Sequence, residues 1–117
     1  MVNITPQQKQ NCNAKIRSIK DALDVINGKW KILVIVSILD GNERFKDIER
    51  SIPKINGKVL AKELKDLEQN HLITRTVYDD SPVIIEYKAL PYAASLRPVF
   101  DALSTWGKNH RKKILAQ

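Results

Sequence analysis

The stretch from Ile52 to Tyr78 constrains the fold more than any other part of the chain, because it predicts a short helix that leads directly into a β-strand. At about 100° per residue, three leucines share one face of that helix and the long polar side chains lie roughly opposite. The apolar face comprises Leu60, Leu64 and Leu67, and the polar face comprises Lys58, Lys62, Lys65 and Gln69. The leucines can anchor the helix in a small core while the lysines stay exposed. Such a pattern is typical of a recognition helix, although an ordinary solvated surface fits the lysines equally well when they are taken alone.

The flanking segments place this helix within a recognisable order of elements. Residues 1–12 are expected to be a flexible arm, and residues 13–117 a single domain with helices over 13–26, 29–40, 46–51 and 91–113. Pro53 separates the brief third helix from the lysine helix, for which Asn56 is the expected N-cap. Residues 73–78 and 83–88 are β-branched or aromatic and flank Asp79-Asp80-Ser81-Pro82, which predicts a hairpin. The expected fold is mainly α with a small β-hairpin wing, a winged helix-turn-helix.

The last helix, at about residues 91–115, has a stripe of large apolar side chains that no other predicted element covers. Dimerisation through the terminal helices is the simplest explanation. A two-fold dimer would place two lysine helices in successive turns of the major groove on one face of double-stranded DNA. The residues assigned to the dimer interface are Trp30, Leu96, Val99, Phe100, Leu103 and Trp106.

Composition favours a polyanionic partner, because 20 Lys and Arg face 13 Asp and Glu, for a net charge of +7. The longest apolar stretch, Ile32 to Leu39, is far shorter than the ~20 residues that span a bilayer, and the N-terminus lacks the apolar segment of a signal peptide. We therefore expect a cytoplasmic protein that does not enter the membrane.

The predicted nucleic-acid contacts are mostly cations, which suit phosphates and, in part, guanine edges. Lys58, Lys62 and Lys65 are the leading candidates, with Asn56 and Gln69 as lesser ones. Lys29, Arg44 and Lys46 begin other elements near the expected DNA side and are candidates for backbone phosphates. Asp79 and Asp80 at the wing tip would repel phosphates, so we expect the wing to contribute less than the helix. Arg75 and Glu86 are expected to pair across the wing strands.

In three segments the chain resembles the HxlR-type transcription regulators, a winged-helix family close to the MarR-like proteins. The resemblance covers nearly everything from Ala22 to His110, and its most specific features are Gly28 to Trp30, Arg44-Phe45, Leu64 to Leu72, and Trp106-Gly107 with His110. It implies a homodimeric, DNA-binding regulator of transcription, and we expect such a dimer to bind a roughly palindromic operator. The chain departs from the family pattern at Asn27 and Ala93, where the family usually has Gly, and at Leu90, which replaces a good N-cap.

Many proteins of this family carry a cysteine just before the first helix, and some use it to sense oxidants or electrophiles. Cys12, the only cysteine here, is therefore a candidate redox sensor. A helix start and the nearby Lys9 and Lys15 would favour the thiolate. The following residue is Asn13 where the family often has Pro, and an inert thiol fits Cys12 equally well. A small-molecule effector is a further expectation, but no residue pattern names it.

Nothing in the sequence predicts catalysis, because nucleophile motifs, phosphate loops and metal-ligand spacings are missing. We expect no cofactor and no metal. The alternative function is a winged helix used as a protein interaction module, with the basic face against an acidic protein surface.

Overall fold

The computed structural model describes residues 3–116, which form six helices and one two-stranded sheet. Met1 and Val2, part of the expected arm, and Gln117 lie outside the described residues. In chain order the elements are α1 (Pro6–Ile26), α2 (Lys31–Leu39), α3 (Phe45–Ser51), α4 (Gly57–Gln69), β1 (Ile73–Tyr78), β2 (Ile84–Ala89), α5 (Pro91–Ala94) and α6 (Arg97–Leu115). The predicted winged helix-turn-helix is confirmed: α3 and α4 are the two helices joined by a turn, and β1 with β2 is the wing.

The first helix begins earlier than predicted. A start near Asn13 is wrong, because Thr5 caps a helix that already includes Pro6 to Cys12. The Thr5 hydroxyl accepts from the Gln8 backbone N–H at 3.1 Å, and the Gln8 side chain accepts from the Thr5 N–H at 2.8 Å. This reciprocal capping box, with proline at the first helical position, starts a helix in a segment that has little to bury.

The core lies where α2, α3, α4 and β1 meet. Helix α2 is apolar on nearly every side; Leu33 is 45% exposed, whereas Val34 and Ile35 are fully buried. The leucines of α4 meet them from one side. Ile52 and Ile55 anchor the turn between α3 and α4 in the same cluster. The two helices of the helix-turn-helix are therefore fixed relative to each other by packing.

The wing is antiparallel, with Ile73 opposite Ala89 and Tyr78 opposite Ile84. The segment before α3 adds to it, since the Tyr87 N–H donates to the Glu43 carbonyl at 2.8 Å. The expected pair of Arg75 with Glu86 is wrong. Arg75 lies opposite Tyr87 and Glu86 opposite Thr76, so the two charges project from opposite faces of the ribbon.

The predicted single terminal helix is two helices, α5 and α6. Pro98 is the second residue of α6, where it has no N–H to continue the bonding of α5 and its ring would meet the carbonyl of Ala94. Leu96 instead donates its N–H to the Ala93 carbonyl, one residue closer than in a regular α-helix. Phe100, the fourth residue of α6, is buried in the core.

The protomer is elongated, with extents of 68 × 37 × 22 Å and a radius of gyration of 18.3 Å. A compact domain of about 100 residues has a radius of gyration near 13 Å. Most of α1 and the outer part of α6 extend from the core with exposed side chains. Within residues 3–116, no helix combines the length and apolar character needed to cross a bilayer.

Candidate nucleic-acid interface

Helix α4 presents its lysines because its opposite face is fixed in the core. Leu60, Leu64 and Leu67 are at most 2% exposed. The Asn56 side chain accepts a hydrogen bond from the Val59 N–H at 2.8 Å, so the predicted N-cap is confirmed. This capping hydrogen bond uses the side-chain oxygen of Asn56 and leaves the NH₂ group of the same side chain for a contact outside the protein.

The exposed face of α4 carries three lysines in two different electrostatic settings. Lys58 and Lys65 are exposed, and within residues 3–116 neither has a carboxylate oxygen within 4.0 Å of its ammonium group. Lys62 lies between them and contacts acids on its own helix, Asp66 at 3.8 Å and Glu63 at 4.0 Å. Gln69 is exposed at the end of the same face. As far as the described residues show, this face therefore offers two unpaired cations and one that carboxylates partly neutralise.

Two of the other predicted phosphate contacts lie together. Arg44 and Lys46 line a groove between the start of α3 and the second wing strand, along with Arg50. Lys46 lies 3.5 Å from Glu49, and Arg50 lies 3.6 Å from Asp47, both within α3. The groove therefore gathers three exposed cations beside the wing.

Lys29 lies elsewhere. Its ammonium is 4.7 Å from the centroid of the Trp30 ring, and it lines a different groove, between α2 and α6. This cation–π contact gives Lys29 a partner within the protein. The structure does not bring Lys29 together with Arg44 and Lys46.

The sequence reasoning missed two cations of the helix-turn-helix, Arg50 and Lys54. Lys54 is exposed in the turn before α4 and has a left-handed backbone with φ of 68°. The sequence could have indicated Lys54, because a residue between Pro53 and the N-cap lies at the start of the recognition helix. Both cations extend the basic surface beyond α4.

The residues assigned to the dimer interface divide into two groups. Val99, Leu103 and Trp106 are exposed, and the exposed fraction of Trp106 is 67%. These three residues form the uncovered apolar stripe that the sequence predicted. The other three pack against the subunit's own core: Phe100 is buried, and Leu96 and Trp30 are half-buried. Phe100 therefore leaves little surface for a partner subunit to cover, and its assignment to the dimer interface stays a prediction.

Helix α1 carries a second exposed apolar stripe, whose residues are not among the predicted interface residues. Ile16, Ile19 and Leu23 are each 49–59% exposed and recur at helical spacing. Cys12 continues the same stripe one turn earlier and is exposed. Because α1 begins at Pro6, Cys12 lies in the second turn of the helix, so the expected location at a helix start is wrong.

Comparison with known proteins agrees with this architecture. The sequence pattern described as HxlR-like helix-turn-helix matches residues 25–114. An uncharacterized HTH-type transcriptional regulator of Methanothermobacter thermautotrophicus is 43% identical over 91 residues, which cover 78% of this chain and 70% of the relative.

Two solved structures of regulators are similar to this chain. The redox regulator HypR in its reduced form superposes with a TM-score of 0.76 at 30% identity, over 86% of this chain and 99% of that one. Diamide-treated YodB of Bacillus subtilis gives a TM-score of 0.64 at 30% identity, over 92% of this chain and 96% of that one. With a family pattern that spans most of its length and relatives that are transcriptional regulators, the chain belongs to the HxlR-like helix-turn-helix family.

Proposed function

We propose that the protein regulates transcription by binding a specific operator in double-stranded DNA with α4 in the major groove. The observation that carries the proposal is the division of α4 into a buried leucine face and an exposed lysine face. A helix of this kind can dock rigidly and still reach phosphates and base edges. The relatives described above are transcriptional regulators, which supports the same function.

The proposal includes a homodimer formed through α1 and α6. In a lone protomer, several large apolar side chains of these two helices are exposed to water. A contiguous apolar surface of that kind marks an interaction site. The elongated shape supports a partner that completes the fold. A two-fold dimer would read a pseudo-palindromic operator with half-sites about one helical turn, roughly 34 Å, apart. The protein would act by binding rather than catalysis, in the cytoplasm, where it meets DNA.

The proposal also includes a response to an effector. Cys12 lies on the α1 stripe, so a disulfide or adduct there would lie within the proposed dimer interface. A small molecule has a candidate site in the groove between α2 and α6, which has a volume of about 580 Å³ and includes Ile32, Leu33 and Phe100 among its lining residues. Either event would act on the dimer arrangement and, through it, on the spacing of the two α4 helices.

The experiment that tests this function is a titration of purified protein against duplex fragments from the genomic region around its own coding sequence, with excess bulk competitor DNA. We expect one fragment to bind at least ~10³ times more tightly than bulk DNA. Binding should weaken steeply as salt rises, since each phosphate contact releases counterions.

Uniform, salt-sensitive binding to every fragment would contradict sequence-specific regulation. It would favour a basic winged helix that meets an acidic protein surface, and the protein interaction module would then become the leading function.

A further inference from the structure

Four charged side chains form a cluster where α2 meets the flank of α4. Lys31, the first residue of α2, lies 4.0 Å from Glu63 and 3.9 Å from Asp66, measured from its ammonium nitrogen to a carboxylate oxygen. Lys62 on α4 contacts the same two acids at 4.0 and 3.8 Å. Two cations therefore share two carboxylates.

The two lysines differ in their access to a partner. The Lys31 side chain is 16% exposed, whereas that of Lys62 is 74% exposed. Lys31 is enclosed between two helices, while Lys62 lies on the lysine face between Lys58 and Lys65. Of the two, Lys62 is the one placed to meet a DNA phosphate.

Glu63 needs a cation whether or not DNA is bound. Its side chain is 13% exposed, and its Oε2 atom has no hydrogen-bond partner among residues 3–116. A carboxylate that is mostly removed from water is costly unless a positive charge compensates it. If Lys62 turned to a phosphate, Lys31 would be the cation left beside both acids.

We propose that Lys31 is a positioning residue for DNA binding, which neutralises Glu63 and Asp66 from inside the protein and so releases Lys62 for a phosphate. Without Lys31, Lys62 becomes the counter-ion of two carboxylates on the flank of the recognition helix. It then stays on the protein, and the acids repel the DNA backbone. The inference rests on the proposed function, because it concerns how the same α4 surface works.

The test is a double-mutant cycle on the operator fragment, with Lys31→Met, Lys62→Met and both together, measured at several salt concentrations. In the wild-type background, Lys62→Met should lower the slope of log affinity against log salt by about 0.9, the value for one phosphate contact. In the Lys31→Met background, the same change should leave the slope nearly unaltered. Lys31→Met alone should weaken binding by about fivefold or more, although its side chain is enclosed.

Lys58→Met is the matched control, because Lys58 lies on the same face and has no carboxylate within 4.0 Å in the described part of the chain. It should lower the salt slope equally with and without Lys31. A purely structural role for Lys31 would weaken the contributions of Lys58 and Lys62 alike, so the difference between the two lysines separates positioning from folding.

A Lys31→Met/Glu63→Gln/Asp66→Asn variant covers the case in which Lys31→Met alone does not fold. Lys62 is then the only charge left among the four side chains of the cluster, and no carboxylate there competes with a phosphate for it, so Lys62 should again contribute a full phosphate contact and affinity should return to at least the wild-type value.

An equal effect of Lys62→Met with and without Lys31, or no recovery in this triple variant, would overturn the inference while leaving operator binding intact. A wild-type protein that binds no fragment specifically would instead overturn the proposed function, and the inference with it.

Discussion

Arg97, the first residue of α6, donates a hydrogen bond from Nη2 to the carbonyl oxygen of Leu39, the last residue of α2, at 2.8 Å. The last carbonyls of a helix lack partners within the helix, and the negative end of its dipole favours a cation. One side chain therefore satisfies the end of α2 and fixes the start of α6 against it. The proposed dimer helix is tied in this way to the helix on which α4 packs.

Removing this contact should lower stability. Arg97→Ala should reduce the free energy of unfolding by about 1 kcal/mol, since a hydrogen bond to a helix end is lost. Urea denaturation of Arg97→Ala and of Arg111→Ala would check the value, because Arg111 is an exposed arginine of the same helix without such a bond in the described structure. Equal destabilisation by both substitutions would contradict the role given to Arg97.

His71→Gly should stabilise the protein. Helix α4 ends in a Schellman motif, in which the Leu72 N–H donates to the Leu67 carbonyl at 3.0 Å and the His71 N–H to the Glu68 carbonyl at 3.1 Å. His71 has a φ of 59°, which costs a residue with a side chain more than it costs glycine. We expect thermal denaturation to show that the free energy of unfolding rises by about 0.5 kcal/mol.

Glu68→Gly is the control, because Glu68 is exposed within the helix itself. Glycine there should destabilise by about 1 kcal/mol. A loss of stability in both variants would show that the left-handed position carries no cost.

Trp106→Glu and Ile19→Glu should each disrupt the homodimer. Both side chains are exposed apolar residues of the proposed interface, and a buried carboxylate there would lack a partner. Sedimentation equilibrium should show the dimer dissociation constant rising roughly 30-fold or more.

Lys108→Glu controls for the added charge, because Lys108 lies on the opposite side of α6 from Trp106 by helical spacing. It should leave the dimer intact. Unchanged dimers in both Trp106→Glu and Ile19→Glu would contradict the interface.

Cys12 should make operator binding sensitive to thiol oxidation. The chain has a single cysteine, so a disulfide would have to join two subunits, and the position of Cys12 on the α1 stripe places it within the proposed interface. Diamide should change the operator affinity of the wild type and produce a covalent dimer on non-reducing gels. Cys12→Ser should respond in neither assay; the same response in both proteins would remove Cys12 from the mechanism.

The helix-turn-helix and the wing were predictable because local signals agreed with tertiary packing. The leucine spacing and Asn56 defined α4, and the alternation of β-branched residues around Asp79-Asp80 defined the hairpin. The lysine face followed from the same periodicity, since a helix anchored on one side exposes the other.

The errors arose where one residue outweighed the pattern around it. Thr5 and Gln8 start α1 in a segment whose composition indicated an arm. Pro98 divides the predicted terminal helix in two, and Phe100 and Trp106, both in α6, lie about 120° apart around it, so one is buried and the other exposed. The ion cluster around Lys31 was beyond prediction, because it depends on how α2 and α4 meet in space.

The most direct test of DNA recognition by α4 compares Lys62→Glu with Lys20→Glu on the operator fragment. The two lysines are matched: their side chains are 74% and 72% exposed, and each pairs with an aspartate four residues later, Asp66 or Asp24. Lys62→Glu should weaken operator binding roughly tenfold or more in 0.1 M salt, as a phosphate contact becomes a repulsion. Lys20→Glu, on α1, should bind almost as the wild type does. Equal affinities for the two variants would contradict the assignment of α4 as the recognition helix.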